Sequence, residues 1–152
     1  MDGSQLAHKW KARPVAEGEW AGWERYDTDP FENLTGPYYC RREADGTVNC
    51  AFRAEKRHMN GSGDSIHGGS LVTFADYAIF MIADHVIGED GSVTAAMNAE
   101  FLDGASEGEL IECRGEVVRA GGSLVVVRGL VTSGERPLLN FSAIIKKIRR
   151  RS

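Results

Sequence analysis

The chain has 152 residues, 42% of them hydrophobic, 26% charged and 9% aromatic, enough for one compact core and too little for two ordinary domains. Its 18 Lys and Arg against 22 Asp and Glu leave a net charge of −4, and the longest apolar run, residues 71–87, holds Asp76, Asp84 and His85, so no segment reads as a membrane span. Five positive charges sit in Lys146-Lys147-Ile148-Arg149-Arg150-Arg151; removing them from the net of −4 leaves −9 for residues 1–145, a body that repels nucleic-acid backbones.

Residues 1–10 (MDGSQLAHKW) lack a basic region followed by an apolar stretch and a cleavage site, so no secretory signal is expected and the chain is placed in the cytoplasm. Residues 1–30 carry Trp10, Trp20 and Trp23 without sustained periodicity and read as an N-terminal arm packing aromatics onto the body. Phe31-Glu32-Asn33-Leu34 suits a helical turn, stopped by Gly36-Pro37. Residues 38–42 and 48–52 form a hairpin about Asp45-Gly46. After a loop of turn-formers (RHMNGSGDS), His67-Gly68-Gly69 leads into residues 71–87, too long for a strand and apolar nearly all round, hence one buried central helix. Four β-patterned runs follow, 93–102, 109–119, 123–132 and 138–148, joined by breakers short enough for antiparallel neighbours. The order ββαββββ is an α+β chain in which an antiparallel sheet wraps one helix, with a domain over 31–148 and a basic C-terminal tail over 149–152. That tail reads either as a solvated end or as an attractor for a phosphorylated ligand. Cys40, Cys50 and Cys113 are odd in number and lack CxxC spacing, so they are expected to be reduced structural thiols, with no metal site.

Gly-Gly at a helix start exposes unpaired N–H groups and partial positive charge, which can polarise a carbonyl, although glycines also serve close packing. Asp76 stands where the surrounding pattern calls for a buried apolar residue; it is either a satisfied structural acid or a functional one. Asp84-His85, near the expected helix C-terminus, reads as solvent-facing. His67 and Asp76 are nine apart, on roughly opposite sides of a helix and about 13 Å apart along its axis. If both act in one reaction, two subunits must share the site about a two-fold axis.

Asn60, His67-Gly68-Gly69, Asp76 and Val93-Thr94-Ala95-Ala96-Met97-Asn98 in this order resemble the hotdog-fold acyl-CoA thioesterases of the phenylacetate-pathway type, related to the 4-hydroxybenzoyl-CoA thioesterases, over roughly residues 31–148. The resemblance implies a thioester carbonyl held on the Gly68 N–H, His67 and Gly69 shaping that turn, and Asp76 of a second subunit as general base or nucleophile. It also implies a water held by Thr94 and a substrate or water oriented by Asn60. Coenzyme A would be part of the substrate, with no separate cofactor and no metal, and the assembly a dimer or a tetramer of two dimers. Gly121-Gly122-Ser123 and Arg119 would meet the coenzyme A moiety, but the basic residue that commonly follows the glycine there is missing. Asn60 lies seven residues before His67 where the family has six, an extra residue for the loop to absorb. Phe74, Tyr77, Phe80 and Met81 are expected to line the acyl pocket. The competing reading is a non-catalytic acyl-CoA binding or sensing module on the same fold, which would gain nothing from Asp76; a dehydratase, which wants a histidine base, ranks below both.

Overall fold

The computed structural model describes residues 12–89 and 91–148. Strands β1 (Arg13–Pro14), β2 (Glu24–Arg25), β3 (Tyr39–Arg42), β4 (Val48–Arg53), β5 (Ser92–Phe101), β6 (Leu110–Ala120), β7 (Leu124–Ser133) and β8 (Arg136–Lys147) form one sheet. Its order is β1-β2-β3-β4-β6-β7-β8-β5 and each pair is antiparallel. Helices α1 (Pro30–Thr35), α2 (Gly68–Ile82) and α3 (Asp84–Ile87) complete the chain, with a 3-10 turn at Lys56–His58.

The β3–β4 turn is closed by Gly46, whose φ of 85° only glycine adopts freely, and by the Asp45 carboxylate accepting the Thr47 N–H at 2.9 Å. Farther on, β7 and β8 alternate inward Val125 and Val127, and Leu139, Phe141, Ala143 and Ile145, so one face of the sheet is apolar throughout. Against it lies α2, packed chiefly on β4, β6 and β7 through Leu71, Phe74, Ala75, Ala78, Ile79 and Ile82. Burying each of the larger of these side chains stabilises the fold by about 1.5–3 kcal/mol. Gly115 and Gly129 are cross-strand partners, and their missing side chains leave room for Ile82 and Phe141; a Cβ on Gly129 would lie 2.5 Å from Phe141 Cζ.

Cys40, Cys50 and Cys113 stand side by side across β3, β4 and β6, each free and buried. Burial pushes the Cys40 thiol up to about 12 and those of Cys50 and Cys113 far above the ordinary range, so all three are inert packing groups.

Two expectations change. The N-terminal arm is more than an aromatic cover, because β1 and β2 extend the sheet beyond β3. Trp20 stacks on Tyr39 at 4.2 Å and Trp23 is buried under the Arg41 guanidinium; Trp10 and the tail over 149–152 lie outside the described residues. Second, the apolar run is not one helix: it breaks at Ala83, which caps α2 through its N–H to Ile79 O and starts α3, turning Ile87 into the core. Asp84 therefore sits half-buried in the first turn of a new helix, where the dipole favours an acid, while His85 in the last turn is exposed. No helix among the described residues is long and apolar enough to cross a membrane.

Candidate active site

At the α2 start, His67 is the N-cap: its Nδ1 accepts the Gly69 N–H at 2.8 Å, and its carbonyl accepts the Ser70 N–H at 2.9 Å. Gly68 is the first helical residue, so its N–H has no helical carbonyl four residues back and remains a donor at the positive end of the helix. A Cβ on Gly68 would lie 2.8 Å from Phe101 Cε1, so glycine is what lets the end of β5 cross so close to the helix start. The loop feeding this turn is pinned by His67 N–H to His58 O at 2.8 Å and by the buried His58 ring. Its Nδ1 accepts the Glu55 N–H, so Nε2–H donates to Thr35 O at 2.6 Å. A cleft of about 580 Å³ opens here, lined by Leu34, Arg57, His67, Gly69, Ser70 and Thr73 among others.

A second cleft, about 290 Å³, holds Asp76, Phe80, Ser92, Val93, Thr94, Tyr26, Asp29 and Glu32. Thr94 Oγ1 donates to Asp76 Oδ1 at 2.5 Å. The β5–β8 pairing is bulged just after this contact, Ala95 being the extra residue between Thr94 and Ala96. The bulge lets both Thr94 before it and Met97 after it face the helix side. Asp76 departs from expectation: it is exposed within one chain, because the α2 stripe formed by Gly69, Val72, Thr73, Asp76 and Phe80 is left open by the sheet. The wheel argument also needs correcting. His67 is an N-cap with extended backbone (ψ 132°), so a helical angle does not apply to it. What separates the Gly68 donor from Asp76 is eight residues of rise, about 12 Å; His67 and Gly69 on either side of the donor line one cleft, and Asp76 lines the other.

The remaining expected residues divide. Phe80 lines the Asp76 cleft, but Tyr77 is 2% exposed, and Phe74 and Met81 are as deeply buried; Tyr77 packs against Tyr26, Tyr38 and Phe74 and belongs to the core instead of an acyl pocket. Asn60 lines neither cleft. Its N–H donates to Ser65 O and its side-chain oxygen accepts the Ser62 hydroxyl at 2.8 Å, so the extra residue is taken up inside a closed turn that turns the amide back on its own loop. Gly121, Gly122 and Ser123 form the β6–β7 turn, with Arg119 exposed beside it; none of them lines either cleft, although Ser123 O accepts the N–H of Lys147, the cross-strand partner of Ser92 in the Asp76 cleft. Lys147 of β8 brings a basic group to this turn, its Nζ donating to Gly121 O at 3.3 Å.

In the sequence Glu32 reads only as part of a helical turn, and Tyr26 carries no reading of its own. The pattern Asp29-Pro30-Phe31-Glu32 is that of a helix cap, and the cap is present, with Asp29 Oδ1 accepting the Glu32 N–H at 2.9 Å. A glutamate three residues past an N-cap has a sufficient structural reason, which hid its place in the cleft. Among the described residues no three His, Cys, Asp or Glu side chains gather as a metal site.

The arrangement offers a backbone donor for a developing oxyanion and a carboxylate braced by a hydroxyl, the parts that acyl transfer to water needs. The chain is 28% identical over 120 residues to a proposed esterase of Pseudomonas aeruginosa, PA0474, covering 78% of this chain and 89% of the relative. A hypothetical thioesterase of Streptococcus pneumoniae TIGR4, solved with coenzyme A, aligns with a TM-score of 0.64 at 22% identity over 76% of this chain and 88% of that one. The Escherichia coli PaaI protein of the phenylacetic acid degradation operon aligns at 0.67 and 19% identity over 80% and 86%. The sheet wrapped on one long helix is thus the hotdog fold. The thioesterase superfamily matches residues 63–139, which include the helix start, Asp76 and Thr94, and the chain belongs to this superfamily of thioester hydrolases.

Proposed function

We propose that the chain hydrolyses acyl-CoA thioesters in a site shared by two copies, the Gly68 helix start of one meeting Asp76 of the partner subunit. The observation that carries this reading is the separation within one chain of two incomplete half-sites: a helix-start N–H at Gly68, flanked by His67 and Gly69 in one cleft, and a hydroxyl-braced carboxylate in another. β5 supports a second copy beside it: it is an edge strand of the sheet, ten residues long where the opposite edge strand β1 has two, and it exposes Val93 and Phe101. Coenzyme A bound to the Streptococcus pneumoniae relative supports the substrate class.

In the reaction, the thioester oxygen lies on the Gly68 N–H, which the helix N-terminus polarises. Asp76 of the partner subunit takes a proton from water as its oxygen attacks the carbonyl carbon. The tetrahedral intermediate collapses with loss of the C–S bond, giving the free acid and coenzyme A thiolate, which takes up the proton. Thr94 holds the Asp76 carboxylate in one orientation so that its other oxygen faces the water. The β6–β7 turn at Gly121-Gly122-Ser123, with Arg119 and Lys147, is the surface for the coenzyme A moiety.

Complementation between two inactive variants tests the shared site. Asp76→Asn and Gly68→Val each lose turnover, but in a random mixture half the dimers are mixed and each carries one intact site, so about a quarter of wild-type activity returns. A mixture that stays as inactive as its parents refutes sharing.

A further inference from the structure

The wall of the Asp76 cleft facing Thr94 comes from a part of the chain outside the superfamily match, residues 26–32. Helix α1 is short, and what fixes its first turn is the Asp29 cap on the Glu32 N–H. A glutamate at this position ordinarily reaches back to the N-cap backbone. Here its carboxyl instead hydrogen-bonds the Tyr26 phenol and lines the same cleft as Asp76. A second small cavity behind it brings Arg25, Tyr26, Tyr38 and Tyr77 around the same side chain. The charged and titratable groups facing Glu32 are therefore Arg25 and Tyr26 from β2 and its flank, Asp29 from the cap, Tyr38 ahead of β3, and Asp76 and Tyr77 from α2.

We propose that Glu32 is a second carboxyl of the reaction site, a positioning residue that keeps its proton while Asp76 works as the anion, so that the attacking water meets one negative charge and not two. This rests on Asp76 being the base. Two carboxyls that share a cleft ionise in sequence, because the second charge forms against the first. Partial burial pushes Glu32 up to about 7; the Tyr26 hydrogen bond opposes the shift, and the charges of Asp29 and Asp76 add to it. A group so raised is neutral below that value and charged above it. As pH rises through about 7 a second anion enters the cleft, and the oxyanion that develops during attack is disfavoured.

The test measures kcat and KM for thiol release between pH 5.5 and 9, together with NMR titration of 13C-labelled carboxyl groups. Wild type is expected to lose about three- to tenfold in kcat above pH 7, while Glu32→Gln, neutral and of the same shape, holds its pH 6 rate to pH 8.5. Tyr26→Phe removes the hydrogen bond that favours the charged form, so its alkaline limb moves to higher pH. In the titration, Glu32 ionises near 7 in wild type and at lower pH in Asp76→Asn. An alkaline limb identical in wild type and Glu32→Gln overturns the proposal, as does a Glu32 midpoint in the ordinary carboxylate range that ignores Asp76→Asn. A protein that shows the coupled titration yet releases no thiol from any acyl-CoA supports the paired carboxyls and refutes the hydrolase reading instead.

Discussion

Replacing Gly68 with alanine separates the role of the helix start in turnover from its role in folding. The added Cβ would lie 2.8 Å from Phe101 Cε1 and 3.3 Å from Cζ, against an ordinary carbon contact of about 3.5–4.0 Å, so the ring must retreat by about 0.7–1.2 Å. Phe101 ends β5, an edge strand, and is 59% exposed, so the ring can swing at a cost of about 0.5–1.5 kcal/mol. Alanine recovers up to about 1 kcal/mol of that over glycine in a helix. The net change in stability should stay within about 1 kcal/mol, a Tm shift of about 4 °C or less for a chain of this size. The N–H, however, loses its clear approach, and a displacement of about 1 Å at a reacting centre costs about 100-fold. Thiol-release kinetics beside a thermal melt should show kcat/KM reduced about 30- to 100-fold in a protein that melts almost normally. Wild-type turnover in Gly68→Ala would refute the reasoning, and so would a loss of activity explained by a collapse in Tm.

Thr94→Val keeps the shape and removes the hydrogen bond to Asp76. A bond to a charged group contributes about 1.5–3 kcal/mol when buried and less at this exposed carboxylate, so kcat should fall about tenfold with KM and Tm nearly unchanged; steady-state kinetics at saturating substrate would expose an unaffected kcat if Thr94 is only structural. Gly115→Ala acts on the fold alone: its Cβ would lie 2.3 Å from the Arg128 carbonyl oxygen of the paired strand and 3.0 Å from Ile82 Cδ1. Overpacking against backbone costs about 1–3 kcal/mol, so urea unfolding should show that loss, and an unchanged midpoint would mean the sheet gives more easily than its pairing implies.

Much of the fold was readable because it rests on local rules. Asp45-Gly46 marked its hairpin through a positive φ, and the alternation along β7 and β8 marked strands with one buried face. Short strands β1 and β2 were not readable, since two residues carry no alternation and their pairing depends on where β3 lies. The break at Ala83 was hidden for a similar reason: neither proline nor glycine marks it, and it shows only in the backbone. At the site, the helix start and Asp76 followed from residue type and pattern and Thr94 from the family resemblance, but the Thr94–Asp76 hydrogen bond and the burial did not. Asp76 looked buried because its neighbours are apolar, whereas it lies on the one stripe of α2 that the sheet leaves open, and Tyr77, its neighbour in sequence, turns wholly inward. Glu32 was masked by a capping pattern sufficient to explain it.

The central claim is that Asp76 drives thioester hydrolysis. Free-thiol release from acetyl-, hexanoyl-, lauroyl-, phenylacetyl- and hydroxybenzoyl-CoA, measured on wild type beside Asp76→Asn, tests it directly. Asparagine keeps the shape and the Thr94 contact but can act neither as base nor as nucleophile. The account predicts release by wild type from at least one substrate and at least a 100-fold loss in the variant, which stays folded and still binds that acyl-CoA. Equal release by both proteins would remove Asp76 from the reaction, and binding without release by either would contradict the hydrolase and leave an acyl-CoA binding module.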